Sequence, residues 1–167
     1  MTETAPTLKT ERLRLRPIRY SDYRGYAAVM QSERAVHMGG PLDDRETWGM
    51  FCHCFGSWGM FGHGGLMIEL AATGETIGMV SINSGPLFIE DELGWFLFDG
   101  FEGQGYATEA AKAVRDWAFE VRKLDTLVSY FSPENTRSIA VATRIGGVQD
   151  DHAKTLDPAD IVYRFSR

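Results

Sequence analysis

The sequence predicts a mixed α/β (α+β) domain in which about four helices flank one mostly antiparallel sheet of six to seven strands. The hydrophobic patterns follow the order strand, two helices, three or four strands, helix, strand, helix and two strands. The late strand–helix–strand succession predicts a parallel strand pair. A chain of 167 residues with 44% hydrophobic composition can bury one substantial core but is short for two. We therefore expect one domain over residues 1–167, with residues 1–10 frayed.

One strand and two helices are predicted in the first half of the chain. "RLRLRPI" alternates leucines with arginines, which is typical of a half-buried strand whose arginines, Arg12, Arg14 and Arg16, form a solvated face. Apolar residues at helical spacing predict a helix over 21–32. A second helix is expected over 44–55, capped by Asp43 or Asp44. The Gly-rich and aromatic segment "GSWGMFGHGG" fits neither pattern.

The second half supplies the remaining elements. "LMIEL" and "TIGMVSI" flank a turn at Gly74 and predict a hairpin, and "DELGWFLF" reads as a central strand that is apolar on both faces. An amphipathic helix is expected to start at about Gly105, followed by the strand "DTLVSYF". A short helix then begins near Asn135 and stops at a Gly-Gly pair. "VQD" and "IVYRF" predict a closing strand pair.

Composition disfavours several classes of function. The net charge is −6 and the arginines alternate along a strand, so a nucleic-acid surface is not expected. No apolar run reaches membrane-spanning length, and the polar first ten residues do not resemble a secretory signal, which favours a cytoplasmic protein. Cys52 and Cys54 are expected to be reduced, because a disulfide between them would strain a very short loop. A metal site at these cysteines with His53 and His63 is the alternative to a helix carrying buried thiols, and the spacing disfavours metal.

The stretch "FEGQGYATEA" places three small residues between an apolar strand and an amphipathic helix. The first N–H groups of a helix lack intrahelical acceptors and carry partial positive charge, so an anion fits there. Gly103 and Gly105 remove side chains that would hold a phosphate away. The alternative is a tight strand-to-helix turn without a ligand. A dinucleotide-binding site is disfavoured, because Asp125 stands at the start of the next strand, which is the wrong place for a ribose-binding acid.

These residues lead to a family resemblance. "ELGWFLFDGFEGQGYATEA" followed by "ENTRSIAVATRIGG" resembles the GNAT N-acetyltransferases, specifically the branch similar to the ribosomal-protein alanine acetyltransferases RimJ and RimL. The resemblance extends from "LKTERLRLRP" to "IVYRF". It implies acetyl-CoA as the acetyl donor and cosubstrate, with no metal.

The resemblance also implies a set of cofactor-binding residues. The pyrophosphate is expected on the amides of Gly103, Gln104, Gly105, Tyr106, Ala107 and Thr108. The preceding strand is expected to splay from its neighbour, so that backbone groups of Phe96, Leu97 and Phe98 pair with pantetheine. Asn135 matches a pantetheine-binding position, and Ser138 matches a residue near the thiol; read locally, Asn135 is an N-cap.

Two positions depart from the pattern of the family. Glu102 stands where Gln or Arg is usual, and we expect its carboxylate to face solvent rather than a pyrophosphate. The frequent general-acid tyrosine falls at Ala142, seven positions after Asn135. A phenol is therefore absent from the place where it usually protonates the leaving thiolate.

Acetyl transfer to an amine requires a base for the amine, a donor to the developing oxyanion and a proton for the thiolate. Glu92, at the start of the central strand, is the catalytic base candidate, either directly or through water; the alternative is a solvated carboxylate at a strand edge. The backbone N–H of Leu97 is a candidate oxyanion donor. Ser138 or a water is the remaining proton source, and His37 is an alternative base.

The acceptor is expected to be a small-molecule or peptide amine, bound where the two early helices meet the sheet. Its pocket would be lined by some of Val36, His37, Met38, Trp48, Phe51, Trp58, Met60 and Phe61, although such residues are more often core. A homodimer is possible. The competing hypotheses are a CoA-binding module without catalysis and a nucleotide phosphate loop. The second is disfavoured because no Lys follows the glycines.

Overall fold

The protein is built on one eight-stranded sheet with the order β1-β2-β3-β4-β5-β6-β8-β7. A computed structural model describes residues 5–167. The strands are β1 Leu8–Lys9, β2 Leu13–Pro17, β3 Gly65–Leu70, β4 Thr76–Asn83, β5 Glu92–Leu97, β6 Thr126–Phe131, β7 Val148–Gln149 and β8 Ile161–Ser166. The helices are α1 Tyr23–Met30, α2 Asp44–Phe61, α3 Tyr106–Glu120 and α4 Thr136–Arg144, with 3-10 helices at Tyr20–Asp22 and Glu33–Met38.

The predicted fold class and the mostly antiparallel sheet are confirmed, but the strand number of six to seven is wrong. Seven strands match the sequence patterns, and the eighth is β1, which the expected fraying of residues 1–10 excluded. Leu8 pairs with Leu15 and Lys9 with Arg14, so β1 extends the edge of the sheet by two residues. Such a short strand carries too little alternation to be recognised from sequence. Residues 1–4 of the segment expected to fray lie outside the described residues.

The arginines of β2 do not form a uniformly solvated face. Arg16 is 5% exposed and its guanidinium binds both Asp22 and Glu69. Arg14 also binds Glu69 but stays exposed. Alternation alone predicts which residues share a sheet face, but here that face is partly covered by the 3-10 helix that carries Asp22. Burial of Arg16 is possible because two carboxylates satisfy its charge.

The second helix is longer than the expected 44–55. Asp43 caps it in a reciprocal capping box with Glu46, as its sequence position predicts. The helix continues to Phe61 and ends at Gly62, whose φ of 71° suits a left-handed C-cap. Its inner face is held to the sheet by Trp58, whose indole Nε1 donates to the Gly65 carbonyl at 2.9 Å. Tertiary packing therefore overrides the low helix propensity of the Gly-rich segment.

The sheet separates two apolar clusters. The larger cluster lies between the sheet and α3 and α4, and includes Val114, Leu127 and Phe165. The smaller cluster lies between the opposite face and α1 and α2, and includes Tyr26 and Met79. Side chains of β5 alternate between these two clusters, which agrees with its expected central position. The strand therefore presents neighbouring residues to opposite layers of the protein.

Within residues 5–167, β5 and β6 form the one parallel pair of the sheet, and this pair has the fewest paired residues. Glu92 pairs with Val128, and the Val128 amide donates to the Asp91 carbonyl at 3.0 Å. The Ser129 hydroxyl adds a bond to the Leu93 carbonyl. Beyond this point the two strands are not paired, whereas β4 and β5 stay paired from Glu92 to Leu97. The sheet therefore opens into a V-shaped cleft between β5 and β6.

Candidate active site

Alternate residues of β5 direct their backbone groups into the cleft. In an antiparallel pair, every second residue exchanges hydrogen bonds with its partner strand. The Phe98 amide donates to the Ile77 carbonyl at 2.7 Å, and this register places Phe96 in the same bonded class, opposite Met79. Trp95 and Leu97 are therefore the residues whose N–H and C=O groups point away from β4. These groups border the opening between the strands.

This alternation shows which of the three residues predicted to bind pantetheine have backbone groups that face the cleft. Leu97 faces the cleft. Phe96 faces β4. Both backbone groups of Phe98 are used within the protein, since its carbonyl also accepts from the Phe101 amide at 3.3 Å. The sequence analysis did not name Trp95. This residue lies two positions before Leu97, so its backbone groups point in the same direction, and the expected pairing with β4 was enough to predict this.

The glycine loop that follows β5 presents a row of unused donors. Gly103 and Gly105 have φ of 77° and 82°, a conformation that favours glycine. Gly105 is the N-cap of α3 and offers no side-chain cap; the first intrahelical bond runs from the Glu109 amide to the Gly105 carbonyl at 3.0 Å. Among residues 5–167, no acceptor is bonded to the amides of residues 103 to 108. This geometry suits an anion at the start of a 15-residue helix.

Glu102 does not simply face solvent, because Arg34 neutralises it. The Arg34 guanidinium binds the Glu102 carboxylate and also reaches Asp99 Oδ1 at 2.9 Å and the Leu97 carbonyl at 3.0 Å. Burial opposes ionisation of Glu102, but the hydrogen bond and charge of Arg34 together with backbone hydrogen bonds outweigh it and lower the pKa of this carboxyl. The carboxylate beside the loop is thus paired and held away from the helix N-terminus. Arg34 also anchors the 3-10 helix Glu33–Met38 to the end of β5.

Arg12 supports the other side of the loop. Its Nη1 donates to the Gln104 carbonyl at 2.9 Å and its Nε to Glu109 at 2.7 Å. The guanidinium carbon lies 4.6 Å from the centre of the Tyr106 ring, within the range of a cation–π contact. These contacts place a positive charge close to the free amides. No local pattern predicts this role, because Arg12 lies 92 residues before Gln104 in the chain.

A cavity of about 320 Å³ lies on the α1 and α2 side of the cleft. It is bordered by the open parts of β5 and β6, by the segment around His37 and by the two loops that precede β5 and β8. Glu92, Asn135 and Ser138 all line it, so the structure brings these three candidates together. The volume falls in the range of small-ligand sites. Trp95 and Phe96 of β5 also line the cavity.

Glu92 has the electrostatic properties of a base that titrates near neutrality. Burial raises the pKa of its carboxyl to about 7. The Asn83 side chain and the Tyr130 backbone N–H favour the charged form, while the nearby charge of Asp160 disfavours it. The alternative of a freely solvated strand-edge carboxylate does not describe this environment. Its neighbour Glu90 is different, since Arg164 binds it and lowers its pKa.

The residues at the start of α4 combine a local role with a place in the cavity. The Asn135 side chain accepts from the Ser138 amide at 3.3 Å, which confirms the expected N-cap. No protein partner is bonded to the Ser138 hydroxyl among the residues described. Ala142 is fully buried one turn further along, so the helix offers no phenol from that position. His37, the alternative base, is exposed at the rim with its Nδ1 2.7 Å from the Ser132 hydroxyl.

Few of the residues offered from the sequence for the acceptor pocket border this cavity. Of the eight residues named from the sequence, only His37 and Met38 border the cavity. Phe51 and Trp58 are buried in the core. The others lie elsewhere and are at least partly exposed: Val36, Trp48, Met60 and Phe61. Aromatic residues on one predicted helix could not reveal which of its faces the sheet covers.

The sequence also missed five polar residues of the cavity: Ser81, Asn83, Ser129, Tyr130 and Asp160. Asn83 Oδ1 and Tyr130 Oη are buried without a hydrogen-bond partner among the described residues. Asp160 belongs to the loop before β8, and burial followed by the charge of Asp157 raises the pKa of its carboxyl. Of these residues, only Asn83 had a recognisable sequence feature. It is the polar residue that ends the apolar stretch "TIGMVSIN", and it pairs with Glu92.

Other classes of site find no support in the described part of the chain. In residues 5–167, no cluster of three or more His, Cys, Asp or Glu side chains is arranged to hold a metal ion. Cys54 is buried and Cys52 exposed, and both are free thiols. Across the same residues, no helix combines the length and the apolar character needed to span a membrane.

The elevated pKa of Glu92 predicts a pH-dependent stability difference. The stability that this carboxyl contributes is present below its ordinary pKa of about 4.5 and is lost as pH rises through about 7. Glu92→Gln removes this titration, so the variant gains about 1–3 kcal/mol of unfolding free energy relative to wild type between pH 5 and pH 8. Denaturant unfolding at both pH values measures the change.

Glu90→Gln is the matched control for this measurement. Its carboxyl has a lowered pKa and is already ionised at pH 5, so its difference from wild type stays constant between the two pH values. Equal behaviour of the two variants would contradict the assignment of a near-neutral pKa to Glu92.

Comparisons with known proteins agree with this geometry. The family model described as "Acetyltransferase (GNAT) domain" matches residues 12–148. The crystal structure of an acetyltransferase from Agrobacterium tumefaciens strain C58 is 56% identical, with a TM-score of 0.96 over 98% of this chain and 96% of that chain. The uncharacterized N-acetyltransferase YnaD of Bacillus subtilis is 34% identical over 55 residues, a match that spans 33% of this chain and 32% of that protein.

The finer assignment to the RimJ/RimL-like branch is not confirmed. The structure of RimL, a ribosomal L7/L12 alpha-N-protein acetyltransferase in complex with coenzyme A, has a TM-score of 0.74 over 96% of this chain and 98% of that chain. Its 19% identity shows a shared fold alone. The A. tumefaciens structure, with its far higher identity, carries only the general description of an acetyltransferase. With the family model matched over most of its length, the chain belongs to the GNAT acetyltransferase family and is an acyl-transferring enzyme.

Proposed function

We propose that the protein is an acetyl-CoA-dependent N-acetyltransferase that moves the acetyl group directly to a primary amine within a ternary complex. The observation that carries this proposal is the cleft between β5 and β6. One end of the cleft meets the free amides of the glycine loop. The other end opens into the cavity that holds Glu92. Donor and acceptor can therefore meet at the middle of β5.

Acetyl-CoA binds in three parts in this proposal. The amides of Gly103, Gln104, Gly105, Tyr106, Ala107 and Thr108 hold the pyrophosphate, with the Thr108 hydroxyl as a further donor. The pantetheine arm pairs with backbone groups of Trp95 and Leu97 as an added strand would. Asn135 donates to the same arm through its Nδ2, since its Oδ1 caps α4. The coenzyme A bound by the RimL structure, which shares this fold, is consistent with this assignment.

The chemical step requires a neutral amine. Glu92, as carboxylate, takes a proton from the ammonium group either directly or through one water. The amine nitrogen then attacks the thioester carbon, forming the C–N bond. As the tetrahedral intermediate collapses, the C–S bond breaks and the nitrogen loses its second proton to water. The Leu97 N–H is the proposed donor to the intermediate oxyanion. The products are the acetamide and the CoA thiolate.

The thiolate needs a proton, and the usual tyrosine is absent. Ser138 lines the cavity, and its hydroxyl has no protein partner among residues 5–167. In the proposal this hydroxyl passes a proton to the thiolate and takes one in turn from water, with direct protonation by a water molecule as the alternative. Positioning of the two substrates accounts for much of the acceleration, so a weak acid at this point is compatible with turnover. The buried Ala142 also makes a CoA-binding module without catalysis the second candidate function.

Release of CoA thiol with a panel of primary amines tests the proposed reaction. Wild-type protein is expected to turn over at least one amine, with kcat/KM rising as pH increases through about 7. Glu92→Gln lowers kcat/KM by about 10²–10⁴-fold because the general base is lost. Acetyl-CoA affinity, measured by calorimetry, stays unchanged in this variant. Glu90→Gln is the control and retains activity.

Tight acetyl-CoA binding without turnover across the panel would favour the non-catalytic module instead. Equal activity of Glu92→Gln and wild type would remove Glu92 from the mechanism. The two results are separable, because the first concerns the reaction and the second concerns one residue.

Substitution of Gly103 tests the phosphate site. A Cβ at Gly103 meets no protein atom within 4 Å, and the same is true at Gly74 in the β3–β4 turn. Both glycines have positive φ, so Gly103→Ala and Gly74→Ala each lose about 1–2 kcal/mol of stability. Only Gly103→Ala is expected to weaken acetyl-CoA binding, by about tenfold or more, because its methyl group occupies the approach of the pyrophosphate. Equal affinities of the two variants in calorimetry would contradict the site.

A further inference from the structure

The charge pattern of the cavity indicates which amine it accepts. We propose that the acceptor is a small primary amine with a single cationic nitrogen on an apolar body, and that Asp160 binds its ammonium group. This inference rests on the proposed N-acetyltransferase function and adds to it the class of acceptor and a specificity residue.

Most partly buried carboxylates of the protein already have a cationic partner. Arginine or lysine side chains bind seven of them: Asp22, Glu69, Glu90, Glu102, Glu109, Asp116 and Asp150. Glu92 and Asp160 line the cavity, and in residues 5–167 neither has such a partner. They lie close enough for the charge of Asp160 to disfavour ionisation of Glu92. Two neighbouring carboxylates without a cationic partner favour the binding of a positively charged ligand.

Other polar groups of the cavity also favour a hydrogen-bond donor as the ligand. No lysine or arginine lines the cavity. Asn83 Oδ1 is buried without a partner in the described residues, and it borders the same space as Glu92. A buried acceptor without a donor is costly unless a ligand supplies one. An ammonium group carries three donors and one positive charge, which matches Asp160, Glu92 and Asn83 Oδ1 together.

The remaining wall is largely apolar, with His37, Ser81, Ser129, Tyr130, Asn135 and Ser138 as its polar members. Methionine and other apolar side chains make up most of it: Met30, Met38, Met50, Met79, Leu87 and Phe88. Leu156, on the same loop as Asp160, is 76% exposed and extends this surface to the rim. Apolar walls of this kind bind an apolar body favourably and penalise additional polar groups. Polyamines and aminoglycosides carry several cationic groups, whereas Glu92 and Asp160 are the two carboxylates among residues 5–167 that line the cavity.

The same electrostatics separate amines from amino acids. A free amino acid places a carboxylate next to its ammonium group, and that carboxylate would face Glu92 and Asp160 without a compensating cation. An amine that lacks this carboxylate avoids the repulsion. We therefore expect 2-phenylethylamine to be accepted and phenylalanine to be rejected, although both carry the same ring. Phenylalaninamide, which is uncharged at that position, is expected to lie between them.

The experiment measures release of CoA thiol with 2-phenylethylamine, isoamylamine, phenylalaninamide, phenylalanine, spermidine, kanamycin and a short peptide with N-terminal alanine. The expected result is a kcat/KM at least tenfold higher for the two simple amines than for phenylalanine, spermidine and kanamycin. Turnover of spermidine, kanamycin or the peptide in preference to the simple amines would overturn the acceptor class while leaving the proposed function intact. Absence of turnover with every amine would overturn both.

Asp160→Asn tests the specificity residue separately. The KM for 2-phenylethylamine is expected to rise by about 10–100-fold, because a hydrogen bond to a charged group is lost, while kcat changes less. The discrimination against phenylalanine should decrease, and Asp160→Glu should restore part of the affinity. Acetyl-CoA affinity should not change in either variant.

Asp151→Asn is the matched control, since it removes one negative charge from the same connection between β7 and β8. Asp151 is exposed, does not line the cavity, and its Oδ1 accepts from Gln149 Nε2 at 2.9 Å. An equal change of KM in Asp151→Asn and Asp160→Asn would assign the effect to net charge and overturn the role of Asp160.

Discussion

The separation of β5 from β6 is the structural feature on which the candidate site depends. A parallel pair that kept its hydrogen bonds would use the Trp95 and Leu97 backbone groups within the sheet. Instead, pairing is confined to Glu92 and Val128, and a side-chain bond from Ser129 to the Leu93 carbonyl closes the vertex. The strands then diverge on either side of the cavity. The cost of unpaired backbone groups is tolerable only because they border an open site rather than a dry core.

Charge pairing organises the surroundings of this cleft. Arg34 joins the segment before α2 to the end of β5 and neutralises Glu102 beside the glycine loop. Arg12 performs a similar role on the opposite side through Gln104 and Glu109. The loop amides are therefore held in place by two arginines while remaining free of acceptors themselves. Against this background of carboxylates paired with cations, Glu92 and Asp160 differ, because neither has a cationic partner among residues 5–167.

Much of the fold could be predicted from local sequence patterns. The alternation in "RLRLRPI", the hairpin around Gly74 and the capping positions Asp43 and Asn135 depend on neighbouring residues, and the structure confirms them. The glycine junction was also recognisable, because Gly105 stands between a strand and an amphipathic helix. These features carry their own physical cause within a few residues.

The parts that could not be predicted depend on distant contacts. The burial of Arg16 requires Glu69, more than 50 residues away, and the two-residue β1 exists only as an addition to the edge of β2. Most of the residues offered for the acceptor lining do not border the cavity, because the sequence does not show which face of α2 lies on the sheet. Asp160 lies in a polar loop whose composition gives no sign that it borders the cavity beside Glu92.

The central claim is that acetyl-CoA occupies the cleft and forms hydrogen bonds with the β5 backbone groups that point away from β4, those of Trp95 and Leu97. Amide NMR of the protein titrated with acetyl-CoA tests this most directly, since each residue reports separately. The account predicts large shifts and slowed hydrogen exchange for the amides of Trp95, Leu97 and residues 103 to 108, with little change in exchange at Phe96 and Phe98, which are already bonded to β4. Unchanged Trp95 and Leu97 amides in the presence of saturating acetyl-CoA would contradict it.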